Sequence, residues 1–207
     1  MSKQRRTVRR FVVFEGIDGS GTSTQLGRLD KRLSGLGVQH SISFEPTDGP
    51  VGRLIRQALS GNFDAHPDTV ARLFAADRGE HLYGTGGILE LTGAGSLVIS
   101  DRYLFSSLAY QGLACASDLP LRLNADFPLP ELLLFFSVSP DTAMDRVERR
   151  KTLEIYENRS FQEKVASAYG DVIRSFEDTG MRIVHIDAAA PPDAVEEAVW
   201  KAVSTLT

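Results

Sequence analysis

The residues best able to do chemistry lie in a glycine-rich turn, Gly16 to Gly21, which two hydroxyl residues follow closely. Glycines let successive backbone N–H groups converge on an anion at the start of a helix, so a phosphate group is the expected ligand. Gly16, Gly21 and Ser23 fit the phosphate-binding pattern G-x-x-x-x-G-K-[ST], in which Thr22 replaces the lysine. An ordinary strand-to-helix turn is the alternative, and it leaves the Ser23 and Thr24 pair unexplained.

The elements around this turn follow from hydrophobic periodicity. Five apolar runs predict strands, over 11–14, 38–44, 97–101, 131–138 and 182–187. Helical patterns lie between them, and the first begins near Ser23. Strands that alternate with helices favour an α/β fold of three layers, with a five-stranded parallel sheet flanked by helices.

Four polar or small residues lie at or just past the ends of the first four predicted strands: Gly16, Glu45, Asp101 and Ser139. Ligands of parallel sheets bind beyond the carboxyl ends of the strands. We therefore expect the glycine-rich turn, the loop that begins at Glu45 and the Asp101–Arg102 pair to line one cleft.

Length and composition indicate an ordinary globular protein. The 207 residues suit one domain over 11–207, preceded by a basic tail over 1–10 that we expect to be solvated. The net charge of −4 argues against a nucleic-acid or membrane-surface partner. One cysteine and four histidines make neither an internal disulfide nor a zinc pattern. No secretory signal and no apolar run of membrane-spanning length is present, so we expect a cytoplasmic protein.

Several stretches together resemble the thymidylate kinase family of nucleoside monophosphate kinases: GIDGSGTSTQ, EPTDGPVGRLIR, LFAADRGEH, SDRYLFSSLAYQG and EIYENRSFQEKV. They follow the family's order from about residue 11 to residue 170. The resemblance implies the P-loop kinase fold, ATP as phosphate donor, Mg²⁺, dTMP as acceptor and a homodimer.

The resemblance also implies roles in the acceptor site. Phe74 would stack on the thymine ring, and Arg78, one helical turn later, would hydrogen-bond the O4 atom of the base. Arg102 would clamp the acceptor phosphate, and Asp18 would accept the sugar 3′-hydroxyl. The remaining residues assigned to the base and sugar are Ser106, Tyr110, Gln111 and Tyr156.

On the donor side, the resemblance assigns ATP to the glycine-rich turn: Gly16, Ile17, Asp18, Gly19, Ser20, Gly21, Thr22, Ser23 and Thr24. Magnesium would lie near Ser23, Asp101 and Glu157. A mobile lid over 146–157 would bring Arg149 and Arg150 to the transferring phosphoryl group. The catalytic set is therefore Asp18, Arg102, Arg149 and Arg150.

Residue types alone leave other interpretations open. Phe74 could be a core residue, Arg78 an exposed salt-bridge partner, and the Asp101–Arg102 pair an internal ion pair. The basic cluster near Arg149 could be a solvated helix end.

Two residues depart from the family pattern. Thr22 replaces the phosphate-loop lysine, and Ile155 stands where many lids carry an arginine. The leading hypothesis is a Mg²⁺-dependent kinase that converts ATP and dTMP to ADP and dTDP. A nucleotide-binding protein with weak or no turnover is the alternative that Thr22 motivates, and a kinase for another deoxynucleotide is a third.

Overall fold

A computed structural model describes residues 5–148 and 159–207. The strands are β1 (Thr7–Glu15), β2 (His40–Phe44), β3 (Leu97–Asp101), β4 (Leu129–Ser137) and β5 (Arg182–Asp187). The helices are α1 (Thr22–Gly35), α2 (Pro50–Leu59), α3 (Pro67–Tyr83), α4 (Ile88–Gly93), α5 (Leu104–Ala114), α6 (Leu119–Leu123), α7 (Pro140–Val147), α8 (Arg159–Ser175) and α9 (Pro192–Val203). A short 3₁₀ turn, Ser204–Leu206, follows α9.

All five strands run parallel in the order β2-β3-β1-β4-β5, which confirms the predicted five-stranded parallel sheet. The central strand β1 pairs with β3 and β4, and Phe14 lies opposite both Asp101 and Leu134. Because the strands end at one edge, the turn after β1 lies beside the end of β3.

Two apolar clusters cover the two faces of the sheet, as the expected three layers require. Val12 and Phe14 of β1 face α1 and α9, whose contributions include Leu29 and Val199. Alternate residues of the same strand face the other cluster, which α4, α5 and α8 complete. Successive side chains of a strand point to opposite faces, so β1 is buried on both.

The expected tail over 1–10 is corrected in its described part, because β1 begins at Thr7 rather than at Phe11. Thr7 and Val8 pair with the start of β4 before the register shifts. Within the shift, Arg10 has a φ of 58° and donates its N–H to Glu131 Oε2 at 2.6 Å. A bulge therefore brings this basic segment into the sheet, which hydrophobic periodicity does not reveal.

The boundaries of other elements differ less from the predicted ones. A one-turn helix, α6, lies between α5 and β4, and β4 begins two residues before its predicted start. The structure describes α8 from Arg159 onward. In the described ranges, no helix has both the length and the apolar character needed to cross a membrane.

Candidate active site

The glycine-rich turn between β1 and α1 has the backbone geometry of a phosphate cradle. Gly19 and Gly21 have φ values of 83° and 90°, in the left-handed region that favours glycine. A Cβ atom on Gly19 would also lie 2.2 Å from the carbonyl oxygen of Ala143. No side chain caps the N-terminus of α1, so the N–H groups of its first turn are available to an anion.

A cavity of about 160 Å³ opens over this turn. Its lining residues are Ile17, Asp18, Gly19, Gly21, Thr22, Ser23, Thr24, Asp101 and Arg102. Seven of the nine residues assigned to ATP line it, and the other two, Gly16 and Ser20, are buried. Among the described residues that line the cavity, Arg102 carries the only positive charge, since Thr22 is neutral.

Ser23 and Asp101 fit a magnesium ion. Ser23 Oγ donates to Asp101 Oδ2 at 2.8 Å, while Asp101 Oδ1 is buried and has no hydrogen-bond partner. Mg²⁺ prefers oxygen ligands and is commonly held by one or two carboxylates together with phosphates and water. Within the described ranges, no three acidic, histidine or cysteine side chains form a protein-only metal site. Glu157 lies outside the described residues.

Asp18 is the centre of a polar cluster beside the cavity. Arg102 donates Nη2–H to Asp18 Oδ1, and Tyr110 OH and Gln162 Nε2 each donate to Asp18 Oδ2 at 2.9 Å. The Arg102 guanidinium also lies over the Tyr110 ring, 5.2 Å from its centroid. Burial raises the pKa of Tyr110, so its hydroxyl stays protonated and remains a donor at neutral pH. The predicted residues Asp18, Arg102 and Tyr110 therefore lie together.

A second buried acid, Glu15, lies directly under this cluster. Its Oε1 accepts from the N–H groups of Tyr103 and Ser106 at 2.8 and 3.2 Å, and its Oε2 accepts from Ser106 Oγ and Tyr169 OH at 2.6 and 2.8 Å. Burial raises the pKa of Glu15 to about 7, although the Arg102 charge and these hydrogen bonds oppose the shift. The Ser106 hydroxyl, assigned to the nucleotide, is bonded to Glu15 instead.

Arg78 is fully buried, so its interpretation as an exposed salt-bridge partner is wrong. Its Nη1 donates to Asn124 Oδ1 at 2.5 Å, and its Nη2 donates to Glu45 Oε2 at 2.6 Å and Ser107 Oγ at 3.1 Å. Its Nε has no hydrogen-bond partner in the described structure. The Nε–H group is thus free to donate in a site built by α3, α5, the C-cap residue of α6 and the loop after β2.

Two further residues were predicted for the acceptor site, Phe74 on α3 and Gln111 on the adjoining helix α5. Phe74, one helical turn before Arg78, is half-buried and belongs to neither apolar cluster, which contradicts its interpretation as a core residue. Gln111 is buried on α5, and its Oε1 has no hydrogen-bond partner among the described residues. A buried amide oxygen without a donor is available to a ligand.

The lid prediction lies mostly outside the described residues, including Arg149, Arg150 and Tyr156. Its first residue, Arg146, belongs instead to α7. Arg146 donates to the carbonyl oxygens of Gly19 and Ala188 at 3.3 and 3.0 Å. Arg146 therefore contacts the phosphate loop from α7, and the lid over 146–157 stays a prediction.

Five residues of this site were not predicted from the sequence: Glu15, Ser107, Asn124, Gln162 and Tyr169. Glu15 had a usable signal, since it is an acid at the end of a buried strand. The other four lie far along the chain from their partners, and a single sequence carries no signal for such contacts.

The sequence is similar to known proteins of one family. A family model described as thymidylate kinase matches residues 14–199. The chain is 40% identical over 194 residues to a putative thymidylate kinase of Treponema pallidum, covering 91% of this chain and 92% of that protein. It is 39% identical over 180 residues to a putative thymidylate kinase of Aeropyrum pernix, covering 86% and 85%, and 41% identical over 188 residues to a probable thymidylate kinase of Pyrobaculum aerophilum, covering 89% and 91%. The chain therefore belongs to the thymidylate kinase family.

Proposed function

We propose that this nucleoside monophosphate kinase transfers the γ-phosphoryl group of ATP to dTMP and yields ADP and dTDP. The observation that carries the proposal is the position of Arg102. This residue lines the phosphate-loop cavity and also contacts Asp18 and Tyr110, which the family resemblance assigns to dTMP. A guanidinium between the two sites can contact both the donor and the acceptor phosphates.

The acceptor needs no general base from the protein. The phosphate of dTMP is largely ionised at neutral pH, so one of its oxygens can attack the γ-phosphorus in line with the leaving oxygen. Arg102 would leave Asp18 for the acceptor phosphate, and Asp18 would then accept the 3′-hydroxyl. The exchange leaves Arg102 paired with the phosphate charge, and it leaves the Asp18 carboxylate hydrogen-bonded to neutral donors, which include Tyr110 and Gln162.

Magnesium would be held by Asp101 and Ser23, directly or through water, with Glu157 as a further candidate. When bound, the ion neutralises phosphate charge. The free Asp101 Oδ1 supports this assignment. Arg149 and Arg150 would add positive charge from the lid.

The base site would use the free donor and acceptor groups of the helices α3 and α5. Arg78 Nε and Gln111 Oε1 are unpartnered in the described structure, and Phe74 is half-buried close by in the chain. Thymine carries both carbonyl acceptors and an N–H donor, so these groups complement it. Tyr156 would pack under the deoxyribose and exclude a 2′-hydroxyl.

A nucleotide-binding protein with weak turnover remains the second candidate because Thr22 carries no charge. The test is dTMP-dependent ADP release from Mg-ATP by the wild type, Thr22→Lys and a charge control, Gly27→Lys. Gly27 is exposed on α1, and its Cβ position is open. We expect a measurable wild-type rate and an increase of about ten- to a hundredfold in Thr22→Lys alone, since added charge stabilises the transition state.

Three outcomes of that assay separate the candidates. A wild-type rate that exceeds background and prefers dTMP over other deoxynucleoside monophosphates supports the kinase. No wild-type turnover together with rescue by Thr22→Lys supports the binding protein. A preference for another acceptor would overturn the assignment of dTMP.

We also propose a cytoplasmic homodimer that forms through the helices flanking the acceptor site. Leu54 on α2 and Tyr83 on α3 are large apolar side chains with exposed fractions of 40% and 61%, which supports an apolar contact there. Light scattering of the purified protein should give twice the chain mass of 22.7 kDa. The Leu54→Glu substitution should lower the measured mass to that of the monomer.

A further inference from the structure

Glu15, the last residue of β1, is a fully buried acid that the proposed phosphoryl transfer does not use. Its Oε1 accepts from the N–H groups of Tyr103 and Ser106, at the start of α5. Tyr103 is the N-cap residue of α5, and its side chain makes no capping hydrogen bond. Glu15 therefore supplies, from a strand, the acceptor that a serine or aspartate N-cap usually provides.

Arg102 immediately precedes this cap and has an unusual backbone conformation. Its φ of 74° lies in the left-handed region, which a non-glycine residue keeps when surrounding contacts impose it. The Arg102 N–H donates to the Phe14 carbonyl oxygen at 2.9 Å, and its carbonyl oxygen accepts from Ser100 Oγ at 2.8 Å. With the bond between Glu15 and the Tyr103 N–H, these contacts hold the peptide groups on both sides of Arg102.

The Arg102 side chain is held by a second route. Tyr169 OH donates to Glu15 Oε2 at 2.8 Å and accepts from Arg102 Nη1 at 3.4 Å. The other guanidinium nitrogen, Nη2, then reaches Asp18. The Tyr169 ring packs edge-on against Tyr110, 6.1 Å between centroids, which keeps the hydroxyl in place.

We propose that Glu15 is a positioning residue for the acceptor phosphate. Through Tyr103 and Tyr169 it fixes both the backbone and the guanidinium of Arg102, and it touches no substrate itself. The inference rests on the proposed function, in which Arg102 binds the phosphate of dTMP. It predicts that loss of the Glu15 carboxylate weakens acceptor binding much more than donor binding.

The experiment compares the wild type with Glu15→Gln, Tyr169→Phe and Glu131→Gln by calorimetric titration of dTMP and of Mg-ADP at pH 8. Glu15→Gln keeps the side-chain size but turns an NH₂ group toward N–H and O–H donors. Tyr169→Phe removes only the hydroxyl. Glu131→Gln is the matched control, because Glu131 accepts a backbone N–H at the far end of the sheet.

We expect Glu15→Gln to raise the Kd of dTMP by about ten- to a hundredfold and that of Mg-ADP by less than about threefold. Tyr169→Phe should raise the Kd of dTMP by about three- to tenfold. The double variant Glu15→Gln/Tyr169→Phe should bind dTMP about as weakly as Glu15→Gln alone, because both residues act on Arg102. Glu131→Gln should bind both nucleotides like the wild type.

Wild-type affinity for dTMP in Glu15→Gln, or equal weakening of both nucleotides, would overturn the inference. If circular dichroism shows that Glu15→Gln does not fold, the inference is tested with Tyr169→Phe. Unchanged dTMP binding in Tyr169→Phe would then overturn the inference. A wild type that binds no dTMP would overturn the proposed function and this inference together. A wild type that binds dTMP beside insensitive variants overturns the inference alone.

Discussion

Few residues of the proposed donor site carry a positive charge. Phosphoryl transfer depends on cations placed where negative charge develops, and each one lost can reduce the rate by about 10² to 10³. Thr22 supplies none, and Arg102 is the only described cation that lines the phosphate cavity. Under the proposed function Arg102 would contact both phosphates, so its orientation would matter more here than in a site that has a lysine in the phosphate loop.

At the same scale, the assignment of magnesium to Asp101 predicts a specific change in Asp101→Asn. The amide keeps an oxygen that can accept from Ser23 but loses the charge that attracts the ion. We expect the Mg²⁺ concentration for half-maximal kinase activity to rise at least about tenfold. Steady-state rates measured over a magnesium series at saturating nucleotides provide the test.

The matched control for this change is Asp187→Asn. Asp187 ends β5 as Asp101 ends β3, but it is exposed and accepts only a backbone N–H in the described structure. Its neutralisation should leave the magnesium dependence unchanged. An unchanged dependence in Asp101→Asn as well would remove Asp101 from the metal site.

At the scale of elements, a buried hydrogen bond ties Asn124, the C-cap residue of the short helix α6, to α3. Asn124 Oδ1 accepts from Arg78 Nη1, and Asn124 Nδ2 donates to the Pro120 carbonyl oxygen at 2.7 Å. Asn124→Leu would leave a buried guanidinium donor without a partner, so we expect the free energy of unfolding to fall by about 2–3 kcal/mol. Urea unfolding with an unchanged m-value would measure this loss.

Arg122→Leu is the control on the same helix. Arg122 forms an exposed ion pair with Asp118 at 3.0 Å, a type of contact that contributes at most about 1 kcal/mol and often nothing measurable. If Asn124→Leu were no more destabilising than this control, the Arg78–Asn124 contact would not anchor α6.

The elements that the sequence predicts well are those with an unambiguous apolar pattern. Strands β3 and β5 match their predicted bounds, 97–101 and 182–187, because apolar runs end there at an aspartate. The start of β1 and the whole of α6 were missed. Arginines interrupt the apolar pattern at the start of β1. Helix α6 has only five residues, with a proline in its first turn.

Site residues were predictable where a local motif carries them. The phosphate loop is one continuous stretch of the chain, and the Asp101–Arg102 pair is another. The ends of parallel strands bring the two stretches together. The contacts of Glu15 with Tyr169, and of Arg78 with Asn124, join residues 154 and 46 positions apart. Such pairs depend on the packing of α5, α6 and α8, which periodicity does not specify.

At the scale of the whole molecule, the strand order places β1 at the centre of the sheet, so its last residue lies deepest beneath the active-site edge. This position explains why Glu15 is fully buried while acids that end outer strands, such as Asp187, are exposed. Glu15 can therefore influence both the acceptor site and the stability of the fold. The consequence for stability depends on pH.

Burial raises the pKa of Glu15 from 4.5 to about 7 in the folded protein, so between these values the native state binds a proton that the unfolded state has lost. The stabilisation from this proton is complete below pH 4.5 and disappears as pH rises through 7. It amounts to about 3 kcal/mol, from 1.36 kcal/mol per pKa unit. Glutamine does not titrate, so the unfolding free energy of the wild type should fall by about this amount relative to Glu15→Gln between pH 4.5 and 8. Guanidinium unfolding of both proteins across that range measures the difference; a difference independent of pH would show that Glu15 ionises in the folded protein as it does in the unfolded chain.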